Sequence, residues 1–245
     1  MRRGYNKIRL GLKCGGSDGL SGITANPLVG KITDKVVSYG ATAVMTEIPE
    51  MFGAEDILLS RCADRGTYDS LVNAIDGFKN YYISHGERID ENPSPGNKAG
   101  GITTLAEKSM GCVQKGGTSA VTDVIAYGGR VMKKGLNVLI GPGNDIVACT
   151  ALAAAGVQVI LFTTGRGTPL GCSVPVVKIS TNTALAQRKP RWIDFDAGRL
   201  ISGADRQTVA DELFGLVMRV AGGEATRSES NGFREIAVWK NGVTL

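Results

Sequence analysis

Ile8-Arg9-Leu10-Gly11-Leu12 runs directly into Lys13-Cys14-Gly15-Gly16-Ser17-Asp18-Gly19-Leu20-Ser21-Gly22, and Asn26-Pro27 comes soon after. The first five residues alternate and read as a strand. The glycine-rich run reads as a loop. Asn26 reads as an N-cap with Pro27 at the first helical position. Leu28, Ile32, Val36 and Tyr39 then share one helical face. Strand, glycine loop, helix is an order that aims backbone N–H groups and a positive dipole end at a ligand in the loop. The spacing is neither that of a P-loop nor a GxGxxG fingerprint.

The same alternation of elements continues downstream. Residues 41–46 read as a second strand that delivers Glu47 at its end, and Ile48-Pro49-Glu50 breaks it. Residues 136–140 read as a strand ending in Gly141-Pro142-Gly143-Asn144-Asp145, with Asn144 or Asp145 capping a helix to Ala155. Residues 157–162 form a near-continuous apolar run, as in a parallel strand buried on both faces, and end in Thr163-Thr164-Gly165-Arg166-Gly167-Thr168. A further strand spans 174–180. Helices are expected from Glu55, with Ile57, Leu58 and Cys62 on its apolar side, and over 68–85, 103–114, 120–132 and 205–221, the last stopped by Gly222-Gly223. This predicts an α/β fold: a mostly parallel, open, Rossmann-like sheet of about five strands with helices on both faces. With no repeat and no linker, residues 1–245 read as a single domain.

Composition agrees. The 245 residues are 42% hydrophobic with 34 glycines and few aromatics, which suits an α/β protein with many functional loops rather than a disordered chain. The net charge of +5 is spread along the chain, without a basic arm for nucleic acid, and is compatible with a small anionic substrate. The longest apolar run is far short of a membrane span. Five cysteines with no CxxC pair read as reduced thiols in a cytoplasmic protein. Cys14, beside a helix start, reads as a buried small residue before a nucleophile or metal ligand, and no covalent chemistry is expected of it. One histidine, His85, excludes a metal site built on several histidines.

A second polar loop, Asn92-Pro93-Ser94-Pro95-Gly96-Asn97-Lys98-Ala99-Gly100-Gly101, lies between two helical segments. Its prolines restrict the backbone, and it carries an ammonium and two amides with no carboxylate. Thr104-x-x-Glu107 behind it reads as a capping box. In an open parallel sheet the carboxyl ends of the strands share one edge, and this loop would fold over it. The edge then gathers Lys98 and Arg166 as cations, Asp18, Glu47 and Asp145 as carboxylates, and Ser17, Thr163 and Thr164 as hydroxyls. Cations with hydrogen-bond donors suit a carboxylate-bearing, hydroxyl-rich substrate, and carboxylates suit a hard divalent metal.

Together these motifs resemble the carboxy-terminal half of the altronate/galactarate dehydratases. The likeness rests on residues 13–27, on Thr46-Glu47 with Gly53-Ala54-Glu55, on the proline–lysine loop and on Thr163-Thr164-Gly165-Arg166-Gly167. It also rests on Pro175-Val176-Val177-Lys178, Thr181-Asn182-Thr183 and Asp194-x-Asp196-Ala197-Gly198. The resemblance implies a hydro-lyase that removes water from an altronate- or galactarate-like acid, giving a 2-keto-3-deoxy acid. It implies a divalent metal, iron(II) first and manganese(II) or magnesium as alternatives. It implies Lys98, Glu47 and Asp18 as catalytic groups, and Gly15, Gly16, Ser17, Asn97, Thr163, Thr164, Gly165 and Arg166 around the substrate. Lys98 would be either the base beside the carboxylate or the cation that holds it, with Glu47 as alternative base or metal ligand. Family members carry an amino-terminal β domain and a further α/β segment before the Cys-Gly-Gly-Ser-Asp motif. The resemblance therefore implies completion by such a segment, or by a second copy in a homodimer, and leaves a threaded or knotted chain path open. Sulfolactate sulfo-lyase large subunits look similar. A phosphate- or nucleotide-binding module using Gly15-Gly16 and Gly165-Arg166-Gly167 is the alternative of another class, and an oligomerisation half is a third.

Overall fold

The structure, a computed structural model, describes residues 4–90 and 92–240. In chain order it contains β1 (Arg9–Cys14), α1 (Ala25–Ser38), β2 (Thr42–Met45), α2 (Glu55–Leu59), α3 (Arg65–Ser84), α4 (Pro95–Ala99) and α5 (Leu105–Val113). These are followed by β3 (Val121–Ile125), β4 (Gly135–Leu139), α6 (Asp145–Ala154), β5 (Val159–Thr164), β6 (Val176–Ser180), α7 (Thr183–Arg188), β7 (Phe195–Asp196), α8 (Arg206–Ala221) and α9 (Arg227–Ser230). Among the described residues the strands form one seven-stranded sheet in the order β3-β4-β2-β1-β5-β6-β7. Every pairing is parallel.

Pleat alternation explains why the central strands are apolar on both sides. Leu10, Leu12, Val159, Leu161, Val177 and Ile179 face one core, packed under residues of α1 and α8. Ile160, Phe162 and Val176 face the other, against Cys149, Ala151 and Leu152 of α6. No helix among the described residues is long and apolar enough to cross a membrane.

The sheet has two strands more than expected. β7 is only two residues long, too short to leave a periodic signal. β3 falls where a helix over 120–132 was expected: Val121 and Ile125 are buried at its ends, a spacing that a helix turn would also give. Asn26 does not cap α1. Thr24 occupies the N-cap, and the buried Asn26 amide instead donates to the Gly111 carbonyl at 3.0 Å and accepts from Thr163 Oγ1 at 2.7 Å. Thr104 does cap α5, accepting from Glu107 N–H at 3.1 Å, but Glu107 returns its carboxylate to Thr103 rather than to the cap. The proline–lysine loop holds the helical turn α4, with a capping box between Ser94 and Asn97.

The strand order reverses between β1 and β5. The chain builds outward from β1 through β2 on one side, then crosses to β5 on the other. That reversal opens a crevice at the carboxyl ends of the strands, where open α/β sheets bind ligands.

Candidate active site

A cavity of about 680 Å³ occupies this crevice. Its wall takes Cys14 from the last position of β1 and Gly15 to Ser17 from just beyond it, Glu50 from beyond β2, Asp145 from beyond β4 and Arg166 from beyond β5. Asn97 and Lys108 close it from α4 and α5, and Tyr82 and Arg88 from the end of α3 and the residues after it. Its volume suits a small ligand.

The end of β1 supplies two side chains of opposite direction. Lys13 points to the α6 side, over the Phe162 ring at 5.6 Å. Cys14 points to the α5 side, where Cys112 Sγ lies 3.5 Å from its own sulfur. Glu47 joins the two. Its φ of 70° is the one left-handed non-glycine conformation among the described residues, a strained arrangement held by its surroundings. Its carboxylate accepts from Lys13 Nζ through Oε1 and from Cys14 N–H at 3.2 Å through Oε2. Lys13, wholly buried, also donates to Asp145 Oδ1 at 2.7 Å and to the Cys14 carbonyl at 2.6 Å. Burial alone would depress the Lys13 ammonium, but Glu47 and Asp145 outweigh it and hold its pKa well above the usual value. Burial pushes the Glu47 carboxyl well up, further than Lys13 pulls it down. The two effects oppose each other, and with three acceptors around its nitrogen Lys13 keeps the proton.

α5 contributes two groups from one face and the turn after it a third. Lys108 and Cys112 are one helical turn apart, and Lys115 follows in the 3-10 turn Gln114–Gly116. The short 3-10 turn Ile48–Met51 after β2 brings Glu50 to meet them. Lys108 Nζ donates to Glu50 Oε1 at 2.8 Å and to Asn92 Oδ1 at 2.7 Å, while Cys112 Sγ donates to Glu50 Oε2 at 3.4 Å. Burial raises the Glu50 carboxyl, but Lys108 overcomes this and holds it below the usual carboxylate range. The hydrogen-bonded contact with Cys112, helped by Lys115 and working against burial, holds the Cys14 thiol well below its ordinary value. The same contact, with burial, pushes Cys112 up.

Cys14, Glu50 and Cys112 offer ligand atoms all within 4.8 Å of one another. Two sulfurs and a carboxylate oxygen, all buried beside cationic Lys115, form a donor set able to hold a metal ion. The thiolates favour iron(II) or zinc over magnesium, which prefers an all-oxygen shell. This differs from the expectation of a hard-cation site built on carboxylates.

The expected site residues separate into three groups. Gly15, Gly16, Ser17, Asn97 and Arg166 line the cavity. Gly15 is required there, since a Cβ would lie 2.6 Å from both Asp145 Oδ2 and Phe162 Cζ. Arg166 Nη1 donates to the Gly96 carbonyl at 2.8 Å, tying its loop to α4. Asn97 anchors α4 by donating to the Ser17 carbonyl at 2.9 Å.

Asp18, Glu47, Thr163, Thr164 and Gly165 do not line this cavity, and Asp18 lines a smaller one beside it. The Asp18 carboxylate accepts from Ser21 Oγ, Thr181 Oγ1 and Asn182 Nδ2, and a Cβ on Gly165 would collide with it. Thr164 Oγ1 accepts from Gly167 N–H at 2.9 Å.

Lys98 stands apart, exposed on α4 and outside the cavity lining. The cavity's own lysine is Lys108. Lys108, Cys112, Lys115 and Glu50 were not singled out in the sequence. Their signal was two lysines and a cysteine at i, i+4 and i+7 on one face of an expected helix, a stripe that an ordinary core helix would fill with apolar residues.

Parallel sheet, crevice and thiol–carboxylate cluster define an α/β protein with an enzyme-like site at its topological reversal. The sequence profile of the D-galactarate/altronate dehydratase carboxy-terminal domain matches residues 5–244, and the chain belongs to this family. It is 55% identical to the altronate dehydratase of Escherichia coli K12 over 240 residues, which are 98% of this chain and 48% of that protein. It is 38% identical to the galactarate dehydratase (L-threo-forming) of the same organism, over 89% of this chain and 42% of that protein. Identity to the (2R)-sulfolactate sulfo-lyase subunit beta of Chromohalobacter salexigens is 30%, over 95% of this chain and 61% of that one. The chain spans about half the length of the dehydratases it matches.

Proposed function

We propose that the cavity is a dehydratase site for a sugar acid of the altronate or galactarate type, giving a 2-keto-3-deoxy acid. The observation that carries this reading is the joining of a cation-lined cavity to the Cys14–Glu50–Cys112 cluster at the carboxyl edge of the sheet. The relatives' names support the same substrate class.

In this reading Cys14, Glu50 and Cys112 hold a divalent metal, iron(II) by preference. A metal there supplies Lewis-acid polarisation of a substrate oxygen. Arg166 and Lys108 orient the substrate carboxylate, the lysine remaining protonated because Glu50 holds its pKa up against burial. Asp145 takes the proton from the carbon next to that carboxylate. Its Oδ1 is fixed by Lys13, and its half-exposed side chain faces the cavity, so Oδ2 is the accepting atom. Glu47 acts through Lys13 as a positioning residue. Asp18 positions the loops after β1 and β5, and Lys98 is assigned no part in the reaction. The site of the whole protein is completed by further chain or by a second copy.

The test is 2-keto acid formation by the whole protein from altronate and from galactarate. Asp145→Asn is expected to lower kcat by about 10²–10⁴-fold with KM little changed. Nucleotide binding with no turnover of either acid would overturn the reading.

A further inference from the structure

We propose that Cys14 and Cys112 are a covalent modification site: in the metal-free cluster they join as a reversible disulfide, giving the site an oxidised form that holds no metal.

The two sulfurs lie 3.5 Å apart, both in buried residues, one at the end of β1 and the other on α5. A disulfide needs about 2.05 Å between sulfurs, so they must approach by roughly 1.5 Å. The five cysteines are all free thiols, and this is the pair whose sulfurs are in contact.

Access comes from two sides. Cys14 lines the large cavity, while Cys112 lines a smaller one of about 50 Å³, and Ser17 and Lys108 line both. The smaller space has room for a molecule the size of water or hydrogen peroxide.

The chemistry balances with hydrogen peroxide as oxidant. The Cys14 sulfur attacks one peroxide oxygen, the O–O bond breaks, and hydroxide leaves with the thiol proton as water. The Cys112 sulfur then attacks the resulting sulfenic sulfur. The S–O bond breaks, and a second water leaves with the Cys112 proton. Two thiols and one peroxide become one disulfide and two waters, and a dithiol reductant reverses the change. A sulfur engaged in the disulfide is no longer a thiolate ligand, so oxidation and metal binding exclude each other. This exclusion rests on the metal reading above, whereas the disulfide rests on the sulfur geometry.

The test uses the whole protein, stripped with a chelator and treated with stoichiometric hydrogen peroxide, with and without prior loading with zinc. Peptide mapping is expected to find the Cys14–Cys112 linkage with a loss of two hydrogens, restored by dithiothreitol. Zinc is expected to slow its formation at least tenfold, and the oxidised protein to bind no zinc at the cluster. Sulfinic or sulfonic acid on either cysteine without the linkage, while zinc still binds, would overturn the disulfide and leave the metal reading intact. Linkage at the same rate with and without zinc would support the disulfide and remove the metal reading. Cys112→Ser is expected to abolish the linkage, and a linkage from Cys14 to any other cysteine would overturn the assignment.

Discussion

Lys108 donates to Glu50 across 2.8 Å inside the wall of the cavity, and this contact ties α5 to the turn after β2. Both side chains are nearly buried, so each is the other's main compensation for lost water. Lys108→Met is therefore expected to leave an uncompensated carboxylate and to cost roughly 3–5 kcal/mol at neutral pH. Glu50's folded pKa lies below its unfolded value, so its contribution is present above that unfolded value and is lost as pH falls through the folded one. The stability gap between wild type and variant should accordingly narrow in acid, which urea unfolding at pH 7 and pH 3.5 would measure. A gap unchanged in acid would contradict the assignment.

Asp145 and Lys98 make a contrasting pair. Asp145 faces the cavity from the first turn of α6, whereas Lys98 is exposed on α4. Asp145→Asn should lose turnover while Lys98→Ala stays within about threefold of wild type. Steady-state kinetics on the whole protein checks both, and loss of turnover in Lys98→Ala would return the base to that loop.

Gly165 has no room for a side chain, because Asp18 fills the space where its Cβ would stand. Gly165→Ala should push Asp18 off Thr181 and Asn182 and destabilise the protein by about 1–3 kcal/mol. Thermal unfolding would show it, and an unchanged Tm would contradict the packing.

Lys178 is buried in β6, with the Pro169 carbonyl at 3.4 Å as the acceptor of its ammonium. Burial lowers its pKa from 10.5 to about 8, partly offset by Asp194 and Glu235. Between those values the unfolded chain binds more protons than the folded one, so stability rises with pH across this window, and below it the full cost is present. Lys178→Met should stabilise the protein by roughly 3 kcal/mol at pH 7. The gain should shrink as pH approaches 10. Equal gains at pH 7 and pH 10 would contradict the burial account.

The sequence made the centre of this fold legible and its margins less so. β5 stood out because a strand buried on both faces is nearly continuous in apolar residues, and β1 because its alternation runs straight into a glycine-rich loop. β3 was hidden because its two buried ends also fit a helical period. Cys14 and Asp145 were visible at strand ends, where position alone implies a ligand edge. The α5 face was not, because Cys112 and Lys108 acquire their meaning from Glu50, 62 and 58 residues away in the chain. Such a pairing is set by the packing of α5 on the turn after β2, which no local pattern encodes.

In the proposed site Cys14, Glu50 and Cys112 hold the metal on which water elimination depends. The most direct measurement is Glu50→Gln in the whole protein, with metal content and 2-keto acid formation from altronate and galactarate taken on the same folded sample. Bound metal and turnover are expected to fall together, turnover by at least about a hundredfold. Full turnover by a variant that has lost its metal would contradict it.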